Sequence, residues 1–343
     1  MNDLPDDDLQ LVLAQTRGLW NELAGANVFI TGGTGFFGRW LVGSLLKANA
    51  AFDLGARVTI LTRDADAFRW KAPVIASDPS VRLMAGDVQS LQPGNEAYSH
   101  VIHAASGMTI GPHAQTESEL HDIIVEGTRK VLDFAVRSGA KQLLLTSSGA
   151  VYGRQPPAVT HIAEDFADAP DSLTVYGRAK REAEELCVEC AARRGLETKI
   201  ARCFAFVGPY LPFDANYAIG NFLRDALAGG PLRVNGDGTP MRSYLHSADL
   251  AAWLWTILLR GKSAWPYNVG SESAVSIREL AETVAGIVAP GASVLVAKAS
   301  SSNEPAERYV PSTQRAQLEL GLRQTISLAD AIARTAAWAR RAQ

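Results

Sequence analysis

The chain has 343 residues, of which 47% are hydrophobic, and a formal net charge of -3. This composition excludes a disordered or fibrous protein and predicts one compact unit with two lobes. The near-neutral charge offers no broad basic surface for nucleic acid or anionic lipid, so any phosphate would have to bind at a local site. We therefore expect small-molecule partners, with no nucleic acid and no membrane among them.

The first residues of the chain, its longest apolar run and its cysteines indicate the cellular compartment. The first eight residues are acidic, where a secretory signal would be basic and then apolar. The longest apolar run, 250–259, is about half of the roughly twenty residues needed to cross a bilayer. Three cysteines, an odd number in a long chain, suit a reducing compartment. Cys187 and Cys190 form a single Cys-x-x-Cys motif without a second pair of ligands, so we predict no metal site. Together these features predict a cytoplasmic protein.

Residues 1–24 are predicted to be an N-terminal helical extension. Apolar side chains recur at helical spacing between Asp8 and Leu23, which predicts an amphipathic helix over 8–23. We expect this helix to pack on the outside of the following domain. A contact with a second subunit or another partner is the alternative.

Residues 25–207 alternate between strand and helix patterns. Strands are predicted at 28–31, 57–62, 81–85, 100–104, 142–146 and 199–203, and helices at 37–49, 117–138 and 175–194. This rhythm predicts an α/β fold with a Rossmann-like, doubly wound parallel sheet, and a ligand at the carboxyl ends of its strands.

Residues 208–343 contain more Gly and Pro and shorter elements. Helices are predicted at 218–228, 249–260, 277–288 and 327–340, and strands at 232–234 and 293–297. We predict a smaller α/β substrate-binding lobe here, which could be interleaved with the first domain.

A glycine-rich turn joins the first strand to the first long helix. It contains Gly32, Gly35 and Gly38, followed by Arg39. Glycines let the backbone approach a pyrophosphate, and the first amides of the helix point toward it. We therefore predict a dinucleotide-binding turn, in which Phe36 and Phe37 also take part. A turn that only reverses the chain is the alternative.

Two later features point to proton and hydride chemistry. The buried strand at 142–146 leads into hydroxyl side chains, of which Ser148 is the last, and Tyr176 and Lys180 lie four residues apart on one helical face. Free tyrosine titrates near 10, too high for an efficient base, but a cationic lysine one turn away favours the phenolate.

The turn, the Ser148 strand and the Tyr176-Lys180 pair together resemble the extended short-chain dehydrogenase/reductase superfamily, specifically its nucleotide-sugar epimerase/dehydratase branch, from about Gly25 onward. The resemblance implies a nucleotide-sugar substrate, NAD or NADP, and a homodimer through the helix that carries Tyr176. It implies Ser148, Tyr176 and Lys180 as the catalytic residues. Ser148 is chosen because the family's catalytic Ser or Thr lies four residues before the tyrosine that corresponds to Tyr152.

Cofactor preference is expected to depend on the end of the second strand. NAD-specific members usually place an acidic residue where this chain has Thr62, and Arg63 follows. An arginine can pair with a 2'-phosphate, so Arg63 and Arg39 favour NADP over NAD. The competing interpretation is that Arg63 is a solvated strand-end residue.

Other cofactor contacts are implied by the resemblance. Asp87, followed by Val88, matches the residue that binds the adenine amine, and Ala104 and Ala105 match the small residues beneath the cofactor. An aspartate that merely caps a turn is the alternative for Asp87.

The choice of reaction is indicated by Gly149 and Ala150. The family's 4,6-dehydratases usually carry an acidic or basic residue at these positions, whereas this chain has none there. We therefore expect hydride transfer at sugar C4, as a 4-keto-sugar reductase or an epimerase. A 4,6-dehydratase and a non-catalytic NAD(P)-binding regulator remain the alternatives.

Substrate binding is expected in the second lobe. Arg242 resembles the family's diphosphate-binding arginine, with Asn221 and Arg233 as weaker candidates. The competing interpretation pairs Arg242 with Asp237 or Asp249. Two family asparagines are replaced here, by Ala205 and Ile124, which puts the usual substrate pose in doubt.

Overall fold

The structure is a computed structural model that describes residues 4–92, 94–105, 116–166, 172–215, 217–299 and 305–342. The strands are β1 (Asn27–Thr31), β2 (Arg57–Thr62), β3 (Val81–Ala85), β4 (His100–His103), β5 (Gln142–Ser148), β6 (Glu197–Cys203), β7 (Phe206–Val207), β8 (Leu232–Val234), β9 (Met241–Arg242), β10 (Leu245–His246), β11 (Trp265–Val269), β12 (Val275–Ser276), β13 (Val294–Val296) and β14 (Arg308–Tyr309). The helices are α1 (Asp6–Gln15), α2 (Phe36–Phe52), α3 (Ala65–Lys71), α4 (Pro73–Ser77), α5 (Glu117–Arg137), α6 (Val175–Arg194), α7 (Ala218–Leu227), α8 (Ser247–Arg260), α9 (Ile277–Val288), α10 (Gln314–Leu320) and α11 (Leu328–Ala342).

A seven-stranded sheet forms the centre of the described residues, in the order β11-β6-β5-β4-β1-β2-β3. All of its strand pairs are parallel. Apart from β11, the strand order is that of a doubly wound dinucleotide-binding domain. The predicted Rossmann-like α/β fold is therefore confirmed.

Both faces of this sheet are covered by helices. Val28 and Ile30 of β1 belong to one buried cluster with α2 and α8, whereas Phe29 belongs to another with α5 and α6. Neighbouring residues of a strand point to opposite faces, so the apolar run of β1 supplies both clusters. The turn and helix starts at the strand ends are held between these two layers.

The segment after residue 208 contributes to both lobes. β11 joins the central sheet beside β6, and α8 packs against β5 and β6. The rest forms a parallel pair of β8 and β13, a three-stranded sheet in the order β12-β9-β14, and the packed helices α7, α9 and α11. A domain boundary at residue 208 stays a prediction.

The N-terminal helix is shorter than predicted. α1 ends at Gln15 rather than near Leu23, and a short 3-10 helix follows at Trp20–Leu23. Gly18 adopts a φ of +92°, which interrupts a right-handed helix. α1 packs on α2 and α8, and its buried Asp8 pairs with Arg334 of α11 at 2.5 Å.

Several elements were not predicted from the sequence, namely α3, α4, α10, β11 and the two-residue strands β7, β9, β10, β12 and β14. β11 contains Pro266, which argues against a central strand but is tolerated at the edge of a sheet, where β11 lies. Within the described ranges, none of the helices is both long and apolar enough to cross a membrane.

Candidate active site

The glycine turn fits closely against the end of β4. Gly32 has a φ of +72°, and a Cβ on it would lie 2.6 Å from the Ala104 carbonyl and the Ala105 nitrogen. A Cβ on Gly38 would lie 2.3 Å from the Gly32 oxygen. Both positions therefore require glycine, and Ala104 and Ala105 lie directly beside the turn. Their contact with a cofactor stays a prediction.

The first turn of α2 has donors suited to an anion. Gly35 is its N-cap, and no side chain of the described residues caps it. Amides at a helix start need acceptors, and a pyrophosphate supplies them with the helix dipole behind the site. Phe37 packs its ring against Phe206 at 5.1 Å, and the Phe36 ring lies 5.8 Å from that of Phe37. These ring contacts hold the start of α2 in place, and the backbone amides of its first turn are suited to contact a dinucleotide.

Arg39 lies beside the turn on an aromatic surface. Its Nε donates to the Thr34 carbonyl at 3.0 Å, and its guanidinium carbon lies 4.3 Å from the centre of the Tyr210 ring. Burial lowers the pKa of Arg39, with Tyr210 acting in the opposite direction. The side chain is thus held close to the turn, and its contact with a cofactor stays a prediction.

Arg63 is exposed at the end of β2. The two polar side chains that flank it are both used locally. The Asp64 nitrogen donates to the Thr62 hydroxyl at 3.3 Å, and the Asp64 carboxylate caps α3 by accepting from the Ala67 nitrogen at 2.8 Å. Arg63 therefore remains as the cationic side chain at this strand end.

Asp87 caps a turn after β3. Its Oδ1 accepts from the nitrogens of Gln89 and Ser90 at 2.9 and 2.8 Å. Hydrogen bonds from Ser90 hold the pKa of Asp87 below its usual value, and the charge of Arg63 lowers it further. Val88 packs against α5, where a Cβ on Gly127 would lie 2.9 Å from its side chain. In the protein alone, Asp87 therefore makes the contacts of a residue that caps a turn, which was the alternative to binding the adenine amine.

Ser148, Tyr176 and Lys180 come together at the carboxyl end of β5. Ser148 ends that strand and its Oγ accepts from the Ala150 nitrogen at 3.1 Å. The Lys180 Nζ donates to the Thr146 carbonyl at 3.0 Å and lies 5.9 Å from the centre of the Tyr176 ring. α6 carries both residues. Thr174 fixes the start of this helix, since its hydroxyl accepts from the Gly177 nitrogen at 3.0 Å.

Burial changes the protonation of both α6 side chains. It lowers the pKa of Lys180 to about 8. It also raises the pKa of Tyr176, and Tyr309 adds to this effect, whereas the Ser148 hydroxyl lowers it. In the protein alone Tyr176 is therefore a protonated phenol, and an additional favourable charge must act on it before it can serve as a base.

A buried ion pair fixes α6 against the sheet behind these residues. The Arg202 guanidinium of β6 donates to the Glu184 carboxylate of α6 at 2.7 Å and to the Tyr152 hydroxyl at 2.9 Å. Ser147 donates to the same Glu184 carboxylate. These bonds hold the helix that carries Tyr176 and Lys180 in register with β5.

Two residues at this site were missed by sequence reasoning. The Tyr309 hydroxyl of β14 lies 3.5 Å from the Ser148 Oγ, and its ring lies 4.7 Å from the Phe204 ring. His103 shares hydrogen bonds with Thr31 at 2.7 Å and Thr128 at 3.2 Å, and burial lowers its pKa to about 3. No local pattern around Tyr309 indicated its position, because it is 161 residues from Ser148.

The predicted substrate residues lie in different parts of the second lobe. Arg242 pairs with Glu307 at 2.7 Å, so the competing interpretation that it pairs with Asp237 or Asp249 is wrong, and its binding of a substrate diphosphate stays a prediction. β14 runs beside β9 and brings Glu307 to it, a proximity that the sequence order does not reveal.

Asn221 and Arg233 lie away from this pair. Asn221 is on α7 and accepts from Arg224 at 3.2 Å, and Arg233 is exposed on β8. Helix α7 packs on β8, whereas Arg242 lies on β9 of the three-stranded sheet, in register with Tyr309.

The sheet, the uncapped glycine turn and the Ser148-Tyr176-Lys180 group define a dinucleotide-binding protein of the extended short-chain dehydrogenase/reductase class. The chain belongs to the NAD dependent epimerase/dehydratase family, whose family model matches residues 28–270. The family is NAD-dependent and acts on nucleotide sugars.

Curated relatives match nearly the whole chain. UDP-glucuronic acid decarboxylase 1 of Arabidopsis thaliana is 27% identical over 310 residues, which are 90% of this chain and 68% of the relative. UDP-glucuronic acid decarboxylase 6 of the same plant is 28% identical and covers 89% of this chain and 86% of the relative.

Solved structures also match nearly the whole chain. MoeE5 in complex with UDP-glucuronic acid and NAD is 26% identical with a TM-score of 0.76, over 92% of this chain and 100% of that one. DesIV, a dTDP-glucose 4,6-dehydratase from Streptomyces venezuelae with NAD bound, is 27% identical with a TM-score of 0.75, over 92% and 97%.

Proposed function

We propose that this protein transfers a hydride at C4 of a nucleotide-linked sugar, as a 4-keto-sugar reductase or an epimerase. The observation that carries this proposal is the convergence of Ser148, Tyr176 and Lys180 at the carboxyl end of β5. This end of the sheet also carries the uncapped turn that begins α2. A nicotinamide cofactor bound there would supply or accept the hydride.

Tyr176 is proposed to move the alcohol proton. In the reducing direction the protonated phenol donates its proton to the sugar oxygen as that oxygen becomes a hydroxyl. In the oxidising direction the phenolate accepts this proton, and a cationic Lys180 favours that form. The Ser148 hydroxyl is proposed to donate a hydrogen bond to the same oxygen.

The positions after Ser148 favour this chemistry over loss of water. Gly149 and Ala150 have no titratable side chain. A Cβ on Gly149 would lie 2.8 Å from both the Tyr309 hydroxyl and the Phe204 ring, so a larger residue does not fit there without rearrangement. A 4,6-dehydratase would need an acid or base from elsewhere to remove water.

Decarboxylation is the second candidate, and the curated relatives favour it. Oxidation of a uronic acid at C4 places a ketone β to the carboxylate. Loss of CO2 then leaves the electron pair in an enolate, so no base at position 149 or 150 is required. This route begins with the same oxidation at C4, and it differs in needing a substrate with a carboxylate at C6.

We propose NADP as the preferred cofactor of this member. Arg63 is the exposed cation at the end of β2, and the neighbouring Thr62 and Asp64 side chains are used within the turn and as a helix cap. A guanidinium suits a 2'-phosphate, whereas a carboxylate in this place suits free ribose hydroxyls. The solved relatives named above hold NAD, so the preference needs a direct test.

A homodimer through α6 is also proposed, on the family resemblance alone. Light scattering of the purified protein tests it, because a dimer has twice the mass of the 36.7 kDa chain. A mass equal to one chain at micromolar concentration would contradict the dimer.

The function is tested by cofactor analysis and a substrate panel. Mass spectrometry of the purified protein identifies any retained NAD or NADP. The protein is then incubated with UDP-, dTDP-, CDP- and GDP-linked sugars, including uronic acids and 4-keto sugars, with Tyr176→Phe as the control. Interconversion of C4 epimers, or consumption of NADPH with a 4-keto sugar, supports the proposal. Loss of CO2 from a uronic acid identifies the second candidate, and no turnover of any sugar favours a regulator.

A further inference from the structure

Tyr309 reaches the candidate active site from the far end of the chain. It lies on β14, which pairs with β9 of the second lobe. Its hydroxyl is 3.5 Å from the Ser148 Oγ, and its ring packs on Phe204 with a centroid separation of 4.7 Å. None of the reaction steps described above uses this phenol.

The hydrogen bonds of Ser148 give Tyr309 a specific role. A serine hydroxyl has one proton to donate and two lone pairs that accept. The Ala150 nitrogen already donates to Ser148 at 3.1 Å. If Tyr309 donates to the second lone pair, both acceptor positions of Ser148 are filled. The Ser148 proton must then point to another acceptor, which is the Tyr176 oxygen in the protein alone and the sugar oxygen once a substrate is bound.

Tyr309 is the better donor of the two hydroxyls. A phenol is more acidic than an aliphatic alcohol, and the Ser148 hydroxyl acts to lower the pKa of the Tyr309 phenol, with smaller contributions from the Arg242 charge and the Gly149 backbone N–H. Burial nevertheless raises that pKa to about 12, so Tyr309 keeps its proton at neutral pH. The 3.5 Å separation is longer than the roughly 2.8 Å typical of hydroxyl pairs, and such bonds often shorten when substrate binds.

Local packing keeps the phenol in this position. A Cβ on Gly149 would lie 2.8 Å from the Tyr309 hydroxyl and from the Phe204 ring. The glycine at 149 and the aromatic ring at 204 therefore form a slot for the Tyr309 side chain. Replacing Gly149 by alanine should displace the phenol without altering Ser148 itself.

We propose that Tyr309 is a positioning residue that fills the second acceptor position of Ser148 and so directs the Ser148 proton toward the sugar oxygen. This inference rests on the proposed function, because the directed proton matters only if an oxygen is bound there. Tyr309 gains and loses no proton in this role. A different possibility is that Tyr309 acts on Tyr176 through its own ionisation, and the tests below separate the two by whether the effect requires Ser148.

The test is a double-mutant cycle between Tyr309→Phe and Ser148→Ala. Tyr309→Phe keeps the ring on Phe204 and removes only the hydroxyl. We expect kcat to fall about five- to tenfold with little change in KM, because one orienting hydrogen bond is lost. In the Ser148→Ala background the same change should have no further effect. Gly149→Ala should reproduce the loss of Tyr309→Phe.

The matched control is Tyr98→Phe. This buried tyrosine donates to Glu96 at 2.9 Å, just before β4 and thus at the opposite end of the sheet. Its kcat should equal that of the unmodified protein. The inference is overturned if Tyr309→Phe is fully active, or if the double variant loses activity as the product of the two single losses.

A spectroscopic measurement tests the inference even if the protein turns over no nucleotide sugar. The absence of turnover would count against the proposed function alone. The eight tyrosines are labelled with carbon-13 at Cζ, and the Tyr176 resonance is assigned with Tyr176→Phe in the NAD-loaded protein. The Ser148 hydrogen bond lowers the pKa of Tyr176 and Tyr309 raises it directly, so the shift of the titration midpoint by Tyr309→Phe is compared with and without Ser148. We expect a higher midpoint for Tyr309→Phe with Ser148 present, relative to the shift that the same change causes in the Ser148→Ala background. Equal shifts in the two backgrounds would overturn the inference.

Discussion

Tyr176 and Lys180 lie one turn apart on α6, with the Lys180 Nζ 5.9 Å from the centre of the Tyr176 ring. Burial lowers the pKa of Lys180 to about 8 and raises that of Tyr176. Because one environment shifts the pKa values of both groups, they are candidates for proton transfer at a functional site. The cation that favours the phenolate is therefore available only below about pH 8.

Lys180 gives a prediction for the pH dependence of turnover. Below pH 8 the ammonium is charged and assists Tyr176, and above pH 8 it loses its proton, so the oxidation rate should stop rising with pH or fall. Arginine stays charged throughout this range. In Lys180→Arg the break near pH 8 should disappear, even if the overall rate is lower. A break that persists in this variant would assign it to another group.

Arg63 gives a prediction for cofactor choice. Arg63→Ala should raise the KM for NADP about tenfold or more and leave the KM for NAD nearly unchanged, because only NADP carries the 2'-phosphate. Arg69→Ala is a suitable control, since Arg69 is an exposed arginine of α3 that pairs with Asp66 at 2.6 Å. Steady-state kinetics with both cofactors measure the effect. Equal losses for NAD and NADP would remove Arg63 from the phosphate site.

Asp249 gives a prediction for stability. This fully buried carboxylate lies in the first turn of α8 and accepts from Gln15, from the backbone nitrogens of Thr325 and Ile326, and from the Thr325 hydroxyl. Asp249→Ala leaves these donors without their acceptor and should reduce the free energy of unfolding by about 2–4 kcal/mol. Urea unfolding measures it. The partly exposed Asp237, whose carboxylate accepts from the nitrogen and the hydroxyl of Thr239, serves as the control, and its replacement by alanine should change stability by less than about 1 kcal/mol.

His103 gives a prediction for stability in acid. Burial lowers its pKa from 6.5 to about 3, so between these values the unfolded chain binds a proton that the folded protein does not. The free energy of unfolding therefore decreases as pH falls through this window, by about 1.4 kcal/mol per pH unit. Relative to the unmodified protein, His103→Asn should lose about 2 kcal/mol less between pH 6.5 and 5. His161→Asn, at an exposed histidine, is the control, and equal slopes in all three proteins would refute the assignment.

Much of the dinucleotide-binding half could be predicted from the sequence, because its signals are local. The apolar run of β2, the glycine turn before α2 and the capped start of α6 each depend on residues within one element or its immediate neighbours. The predicted bounds of β2, β3, α6 and α9 agree with those of the structure. The Tyr176-Lys180 spacing is likewise a property of one helix.

The remaining features depend on contacts between distant residues. Tyr309 contacts Ser148, which is 161 residues away in the sequence, and Arg242 pairs with Glu307, which is 65 residues away. Both contacts arise from the β9-β14 pairing, which involves strands of only two residues with no periodicity to detect. The end of α1 was misplaced for another reason, because apolar spacing continued past Gly18 and outweighed the single glycine.

The most direct test of the central claim follows the hydrogen at sugar C4. A sugar with a C4 hydroxyl is labelled with deuterium at C4, or, for a 4-keto sugar, the reduced cofactor carries the deuterium; the reaction is quenched during the first turnover and both molecules are analysed by mass spectrometry. We predict that deuterium passes from C4 to the cofactor, from which an epimerase returns it to C4, or from the cofactor to C4 of a reduced product, and that Tyr176→Phe slows this transfer by about 10²- to 10⁴-fold. Conversion of the sugar with no deuterium exchanged between C4 and the cofactor at any time in the first turnover would contradict the account.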